Sequence, residues 1–247
     1  EKYEAIVLSQ QTYSSKTLPY RRGNITDRDG NVLATSIKVY NMIIDPKVIL
    51  TENKDYLEPT VDALVKCFGY SKDELTKLIQ DNKDSRYVIK EKQLKYEQIE
   101  EFKKLMSDTK NNPDVKGVWF EEEYKRMYPY STLASGTIGF TVAGNVGNWG
   151  IEEYYNDYLN GIDGREYGYV NEDNTMDPVV KEPTDGNTVV STIDLNLQTI
   201  CEKYIKQWVE EYHPTNVAVV MADPNTGEIL AMADSNNMYD LNNPQEL

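Results

Sequence analysis

Apolar and polar positions follow two different periods along the chain, and each period predicts a different kind of element. Residues 39–44 are rich in β-branched and aromatic residues and stop before Pro46, which predicts a strand. The preceding Asp29-Gly30-Asn31 sequence predicts the turn of a hairpin. Between residues 53 and 112 the apolar residues recur every three or four positions, which is the spacing of a helix face. This Lys- and Glu-rich stretch is therefore predicted to be a helical insert.

The pattern within the insert predicts three helices and one short strand at 86–90. The second helix begins near Ser71, which is available as an N-cap, and the charged faces of all three are expected to meet solvent. A further short helix is predicted within the first 20 residues. The apolar positions that define the first and third helices of the insert are Leu57, Val61, Leu64, Val65 and Phe68, and Leu94, Ile99, Phe102, Leu105 and Met106.

Residues 117–170 are rich in glycine and tyrosine. A strand is predicted at 117–120 and a helix at 150–159, with Asn160-Gly161 as its C-terminal cap. The glycines at short intervals (Gly136, Gly139, Gly144, Gly147 and Gly150) indicate tight turns or close backbone approach. They lack the order of a phosphate-binding loop, so a nucleotide site is not predicted.

A polar stretch from Asn171 to Asn187 is predicted to be a linker, and it contains the best candidate for a domain boundary. After it we expect a strand at 188–193, a helix capped by Asp194, and two apolar strands at 216–222 and 228–233. The helix is predicted to bury Leu197, Ile200, Cys201, Tyr204, Ile205 and Trp208. One helix and one hairpin cannot close a domain, so the chain is expected to be a fragment of a longer protein.

Charge and composition exclude several classes of function. Lys and Arg number 26 against 41 Asp and Glu, a net charge of −15, so no basic footprint for nucleic acid exists. Neither a membrane span nor a signal peptide is found in the sequence.

The scarcity of His and Cys restricts the chemistry further. The single histidine, His213, is predicted to end a helix, and Cys67 and Cys201 are expected to be small buried hydrophobes. We therefore predict no zinc or other metal site and no cofactor.

Four short sequence motifs follow one another along the chain. The first spans Arg22 to Gly30 and the second is Arg126-Met127-Tyr128-Pro129. The third is Gly147-Asn148-Trp149-Gly150-Ile151-Glu152, followed by Gly161 and Gly164, and the fourth runs from Asp223 to Met232. These motifs in this order resemble the class B penicillin-binding proteins. The positions that the resemblance marks as structural are Arg22, Gly23, Asp27, Arg28, Gly30, Arg126, Tyr128, Pro129, Gly147, Gly150, Glu152, Gly161 and Gly164.

The resemblance implies an α+β fold, with an elongated pedestal or dimerisation domain at 1–184 that contains the helical insert at 53–112. Residues 185–247 would be the first helix and β-hairpin of a transpeptidase domain. The parent would be a serine-type D,D-transpeptidase of peptidoglycan synthesis, anchored by a single span absent from this chain, on the extracytoplasmic face of a bacterial cell membrane. Implied partners are its own transpeptidase domain, a glycan polymerase of the shape, elongation, division and sporulation family, and a second copy in a homodimer.

Physically, the charged motif residues are expected to form ion pairs, with Arg28 or Arg126 meeting Asp27 or Glu152, or else to remain as surface charges. The transpeptidase motifs themselves are missing. Ser107-Asp108-Thr109-Lys110 and Ser235-Asn236-Asn237 match them literally, but the first lies at a fraying helix end and no Lys-Thr-Gly is present. This chain is therefore expected not to be an enzyme.

A second hypothesis is a glycan-binding or glycan-cleaving module, suggested by acidity, tyrosine content and the cluster from Trp149 to Glu153. Glu152 and Glu153 are adjacent on a predicted helix and diverge by about 100°, so they cannot alone form the carboxyl pair of a glycosidase.

Overall fold

The computed structural model describes residues 14–170 and 176–243. The strands, numbered in chain order, are β1 (Ser14–Leu18), β2 (Ile25–Thr26), β3 (Val32–Ile44), β4 (Val88–Leu94), β5 (Val118–Met127), β6 (Phe140–Val142), β7 (Val146–Asn148), β8 (Gly164–Val170), β9 (Met176–Lys181), β10 (Val189–Val190), β11 (Ala218–Ala222) and β12 (Ile229–Asp234). The helices are α1 (Pro46–Ile49), α2 (Leu57–Phe68), α3 (Lys72–Asp81), α4 (Tyr96–Ser107), α5 (Ser135–Ile138), α6 (Gly150–Tyr154), α7 (Asn156–Leu159) and α8 (Leu195–Tyr212).

The chain divides into two compact units. One contains residues 38–125, and the other contains residues 1–37 together with 126–247. The predicted helical insert at 53–112 lies inside the first unit, which also contains most of β3 and β5. The predicted division between residues 184 and 185 stays a prediction.

The unit at 38–125 is built as its apolar pattern predicts. β3 pairs antiparallel with β4, with Ile43 opposite Ile89, and β5 also pairs with β3. Helices α2, α3 and α4 supply Leu64, Ile79 and Phe102 to a core that is closed to solvent. Ser71 caps α3 by accepting a hydrogen bond from the backbone N–H of Glu74 at 3.4 Å, as predicted.

In the other unit, a three-stranded antiparallel sheet has the order β1-β8-β9. β9 occupies part of the stretch predicted to be a linker, so that prediction is wrong for residues 176–181. Pro178 favoured a break in the chain, but β9 is an edge strand, and an edge strand tolerates proline. The helix predicted near the start of the chain falls mainly outside the described residues, and Ser14–Leu18 is a strand.

The predicted hairpin at Asp29-Gly30-Asn31 is confirmed. Ile25 pairs with Ala34, and Gly30 adopts a φ of 88°, a conformation that favours glycine. β10 then pairs in parallel with β2, with Val189 opposite Ile25. The predicted helix at 150–159 is present as two short helices, α6 and α7.

The helix and the hairpin predicted for the last part of this unit are present as α8 and β11–β12, which pack together, and the buried face of α8 differs in part from the predicted one. Cys201 and Ile205 are buried with Ala231 and Ala233. The prediction that Ile200, Tyr204 and Trp208 are buried is wrong, since these side chains are 48%, 63% and 54% exposed. The buried stripe instead contains Gln198, Cys201, Glu202 and Ile205, because two polar side chains on that face find partners inside the unit.

His213 and Cys201 lie where the sequence indicates, whereas Cys67 is less buried than predicted. His213 is the C-terminal cap of α8, with a φ of 47°. Cys67 is half-buried and Cys201 is buried, and both are free thiols. Across residues 14–170 and 176–243, we find neither a helix with the length and hydrophobicity to span a bilayer nor a cluster of three side chains suited to a metal ion.

Candidate functional site

A buried carboxylate, that of Glu152, lies at the centre of the motif residues. It is fully shielded from solvent in the first turn of α6. Its Oε2 accepts a hydrogen bond from Arg22 Nε at 2.9 Å and lies 2.8 Å from Arg22 Nη2. Its Oε1 accepts from Arg126 Nε at 2.7 Å and from the Tyr128 hydroxyl at 3.2 Å. One carboxylate thus joins three segments that are far apart in sequence.

The local structure explains how these side chains converge. Arg126 and Tyr128 are two residues apart at the end of β5, so the strand period directs both side chains to the same side. Arg22 precedes β2 and is also fully buried. Together these three residues and Glu152 form what we call the Glu152 network.

The remaining donors of the two guanidinium groups meet mostly uncharged acceptors. Arg22 Nη1 donates to Asn145 O at 2.9 Å, to Asn156 Oδ1 at 3.1 Å and to Asn160 Oδ1 at 2.6 Å. Arg22 Nη2 also donates to the backbone oxygen of Glu152 at 2.9 Å. The three asparagines were not predicted, because nothing in their local sequence marks them as acceptors for an arginine more than 120 residues away.

Arg126 is also held by Gly23 of the first motif and by Ser36 of β3. Its Nη1 donates to the backbone oxygen of Gly23 at 2.7 Å and to Ser36 Oγ at 3.3 Å. Its Nη2 has no partner within the described residues. The Glu152 network therefore contains two positive charges and one negative charge, dispersed over neutral oxygens.

Its surroundings make the Tyr128 hydroxyl a weaker acid than usual. They also leave neither carboxylate oxygen of Glu152 without a hydrogen-bond donor. Burial and, second, the negative charge of Glu152 raise the pKa of Tyr128 well above its usual range. Both Glu152 oxygens already accept hydrogen bonds. The arrangement suits a rigid structural joint and not a reacting centre.

A second polar joint is formed by Asp27. Its Oδ1 accepts from the backbone N–H groups of Asp29 and Asn31 at 2.9 and 2.7 Å, and its Oδ2 accepts from Asn31 Nδ2 and from the Leu195 N–H. Burial by itself would raise the pKa of Asp27, but these hydrogen bonds outweigh it and lower the pKa. Asp27 thereby connects the first motif to the N-terminus of α8.

Of the ion pairs considered from the sequence, Arg126 with Glu152 forms and the others do not. Arg28 pairs with Glu228 across 3.6 Å, and both side chains are about 40% exposed. A pair exposed to that extent contributes about 0–1 kcal/mol. Pro129 lies exposed in the turn after β5.

Five of the motif glycines lie where another backbone segment passes too closely for a side chain. A Cβ on Gly147 would lie 1.9 Å from the backbone oxygen of Glu152, and one on Gly150, whose φ is 56°, would lie 2.3 Å from that of Thr137. A Cβ on Gly23 would lie 1.8 Å from the backbone oxygen of Asn187, and one on Gly161 would lie 2.0 Å from that of Thr184. A Cβ on Gly164 would make a similar contact with the backbone oxygen of Lys181.

A third joint, missed by sequence reasoning, connects α8 to the turn after β5. Glu202 Oε1 accepts from the backbone N–H of Ala134 at 2.7 Å and from Gln198 Nε2 at 2.9 Å. The Gln198 amide also exchanges hydrogen bonds with both backbone groups of Met232 in β12. Two buried polar residues on an otherwise apolar helix face would have been the signal for it.

Comparison with known proteins identifies the family. The model of the penicillin-binding protein dimerisation domain matches residues 17–191. The chain belongs to this family. The resemblance to class B penicillin-binding proteins and the predicted α+β fold are both confirmed.

Relatives of this chain occur in several bacteria. The chain is 29% identical over 226 residues to stage V sporulation protein D of Bacillus subtilis, covering 89% of this chain and 33% of the relative. It is 31% identical over 236 residues to the probable peptidoglycan D,D-transpeptidase PenA of Neisseria meningitidis, covering 93% and 38%. The chain therefore spans between a third and two fifths of the length of these relatives.

Solved structures confirm the fold of this dimerisation domain. Penicillin-binding protein 2X from Streptococcus thermophilus matches with a TM-score of 0.74 at 24% identity, covering 93% of this chain and 36% of that one. Penicillin-binding protein PBP2 of Helicobacter pylori, solved in complex with MreC, matches with a TM-score of 0.65 at 25% identity, covering 95% and 44%.

We predict that Glu152→Gln destabilises the unit that contains the Glu152 network by about 3–5 kcal/mol, because it leaves two buried guanidinium groups without a counter-charge. Denaturant unfolding monitored by circular dichroism measures the change. The matched control is Glu153→Gln, which alters the exposed neighbour and should cost less than about 0.5 kcal/mol. Equal effects of the two substitutions would contradict a central role for Glu152.

We also predict that Asp27 contributes to the acid sensitivity of folding. Its pKa in the folded chain is lowered, below the value of about 3.9 for an unfolded Asp. The folded state therefore binds fewer protons, and the stability from Asp27 is present above about pH 4 and lost as the pH falls through the folded pKa.

In Asp27→Asn the free energy of unfolding should thus be lower at neutral pH and should fall less steeply on acidification than in the wild type. Urea titrations at a series of pH values measure both. The control is Asp29→Asn, which alters an exposed neighbour and should keep the wild-type slope of the free energy of unfolding against pH. An unchanged slope in Asp27→Asn would show that the joint carries no pH-dependent stability.

Proposed function

We propose that this chain is the non-catalytic scaffold of a class B penicillin-binding protein, and that it positions a peptidoglycan transpeptidase domain. The observation that carries the proposal is the Glu152 network, which fixes three motifs of a dimerisation domain as one buried joint with no reactive group left free. A scaffold that holds an enzyme in place needs rigidity. Buried charges that each make several hydrogen bonds supply that rigidity.

Residues 185–247 are proposed to be the first elements of the transpeptidase domain. Two joints support a mechanical connection between them and the pedestal at 1–184: Asp27 accepts from Leu195, and Glu202 accepts from Ala134. Displacing α8 would break hydrogen bonds to buried carboxylates at both ends of this connection. The orientation of the enzyme is thus proposed to depend on the pedestal.

The two literal matches to the transpeptidase motifs support a non-catalytic reading. Ser107 ends α4 and donates to the backbone oxygen of Lys104 at 2.8 Å, and Lys110 lies beyond the helix, so no shared helix face brings the two together. Ser235 donates to Asn216 Oδ1 at 2.8 Å and accepts from the Val217 N–H at 3.0 Å. Neither hydroxyl has the adjacent base that activates a serine nucleophile.

The cellular location and the protein partners of this chain follow from the same proposal. The pedestal would stand on the extracytoplasmic face of a bacterial membrane and contact a glycan polymerase of the shape, elongation, division and sporulation family. The complex formed by Helicobacter pylori PBP2 with MreC supports the general expectation of a protein partner. The net charge of −15 does not favour direct docking on anionic lipid, because that surface attracts basic segments.

The glycan-cleaving alternative gains no support from the position of Glu152. A glycosidase needs a carboxyl group that can reach the scissile bond, whereas Glu152 is inaccessible and bound to two arginines.

We predict that this chain forms no covalent adduct with a fluorescent penicillin, because neither Ser107 nor Ser235 has an adjacent base that would activate it. Gel fluorescence and intact mass spectrometry after incubation measure the adduct, with a full-length transpeptidase of the family as the positive control. A stoichiometric adduct that is lost in Ser107→Ala or Ser235→Ala would contradict the proposal.

A further inference from the structure

Three tyrosines next to the Glu152 network are unusually exposed. Tyr154, Tyr155 and Tyr158 are 82%, 41% and 53% accessible to solvent, although aromatic rings normally bury most of their area. The rings of Tyr154 and Tyr155 are 4.9 Å apart and nearly perpendicular, at 74°. With Glu153, Asn156, Asp157 and Gly147 they line an open cleft of about 430 Å³, which we call the tyrosine cleft. Its size falls in the roughly 300–1,000 Å³ range of small-molecule sites.

The floor of the tyrosine cleft is rigid. Glu152 and Leu159, on the inner side of α6 and α7, are fully buried, and this leaves the tyrosines on the outer side. Asn156 Oδ1 accepts hydrogen bonds from the Gly147 N–H at 2.8 Å and from Arg22 Nη1 at 3.1 Å. The rings therefore stand on helices that the Glu152 network holds in place, and such a surface loses little entropy when it binds.

The charged groups that line the cleft are carboxylates, which act only as hydrogen-bond acceptors. The exposed carboxylates of Glu153 and Asp157 flank the tyrosines, and one Glu153 oxygen already accepts from the Trp149 N–H at 2.8 Å. One Asp157 oxygen, Oδ1, accepts from Asn156 Nδ2 at 3.3 Å, and both carboxylate side chains are exposed. Aromatic faces beside carboxylate acceptors suit a ligand with flat apolar C–H faces and many hydroxyl or amide donors, and they disfavour an anionic polymer.

We propose that the tyrosine cleft binds a short segment of a neutral amino-sugar chain. The C–H faces of the sugar rings would stack on Tyr154 and Tyr158, and their hydroxyl and N-acetyl N–H groups would donate to Glu153 and Asp157. This inference rests on the proposed function, which puts the chain beside peptidoglycan, and it adds a contact with the glycan strand outside the transpeptidase site. A scaffold with this contact would hold the strand as well as the enzyme.

The test is a binding titration of this chain with the N-acetylglucosamine tetrasaccharide, by isothermal titration calorimetry and by chemical-shift changes at the tyrosines. We expect saturable binding that Tyr154→Ala weakens by roughly tenfold, and the double variant with Tyr158→Ala more, since each loses a stacking surface. Tyr154→Phe keeps the ring and should bind as the wild type does. The control is Tyr204→Ala, which removes a tyrosine that is 63% exposed on α8 and should have no effect.

Two results would overturn the proposal. One is the absence of saturable binding, or binding that the double variant leaves unchanged while its fold is intact by circular dichroism. The other is binding of a lysine-rich peptide at the same tyrosines without competition by the tetrasaccharide, which would make the cleft a protein-docking surface. Because penicillin labelling is independent of this titration, failure of the glycan contact is distinguishable from failure of the proposed function.

Discussion

The structure of the motif region depends on one buried carboxylate that two guanidinium groups share. A carboxylate with no access to water is costly unless opposite charge and hydrogen bonds surround it. Glu152 meets this requirement only when Arg22, Arg126 and Tyr128 are all in place. The close backbone passages at Gly23 and Gly147 bring the segments near enough for these contacts. The motifs are thus parts of one joint and not separate features.

The other polar joints extend this constraint towards α8. Asp27 lies only a few residues after Arg22 and holds the N-terminus of the helix, while Glu202 holds the turn that follows Tyr128. A change at the Glu152 network therefore affects both attachment points of α8 through short stretches of backbone. The tyrosines on α6 and α7 stand on the same base, so scaffold rigidity and the proposed glycan contact have a common physical origin.

Local patterns predicted local structure well. The apolar spacing of α2, the Ser71 cap and the turn at Gly30 are all encoded within a few residues of where they act. Arg126 and Glu152 could be named as charged motif residues, but the pairing of Arg22 with Glu152 spans 130 positions and leaves no trace in periodicity. The buried face of α8 was misassigned for a related reason, since Gln198 and Glu202 are polar residues whose partners lie on distant segments.

The most direct test of this account is hydrogen–deuterium exchange of the wild-type chain and Glu152→Gln under native conditions. If the Glu152 network is one joint, protection should fall together at residues 22–27, 126–128 and 145–160. It should remain unchanged at residues 57–107, which belong to the other unit. Loss of protection confined to α6 would contradict the account, because it would show that the motifs are held independently of the carboxylate they share.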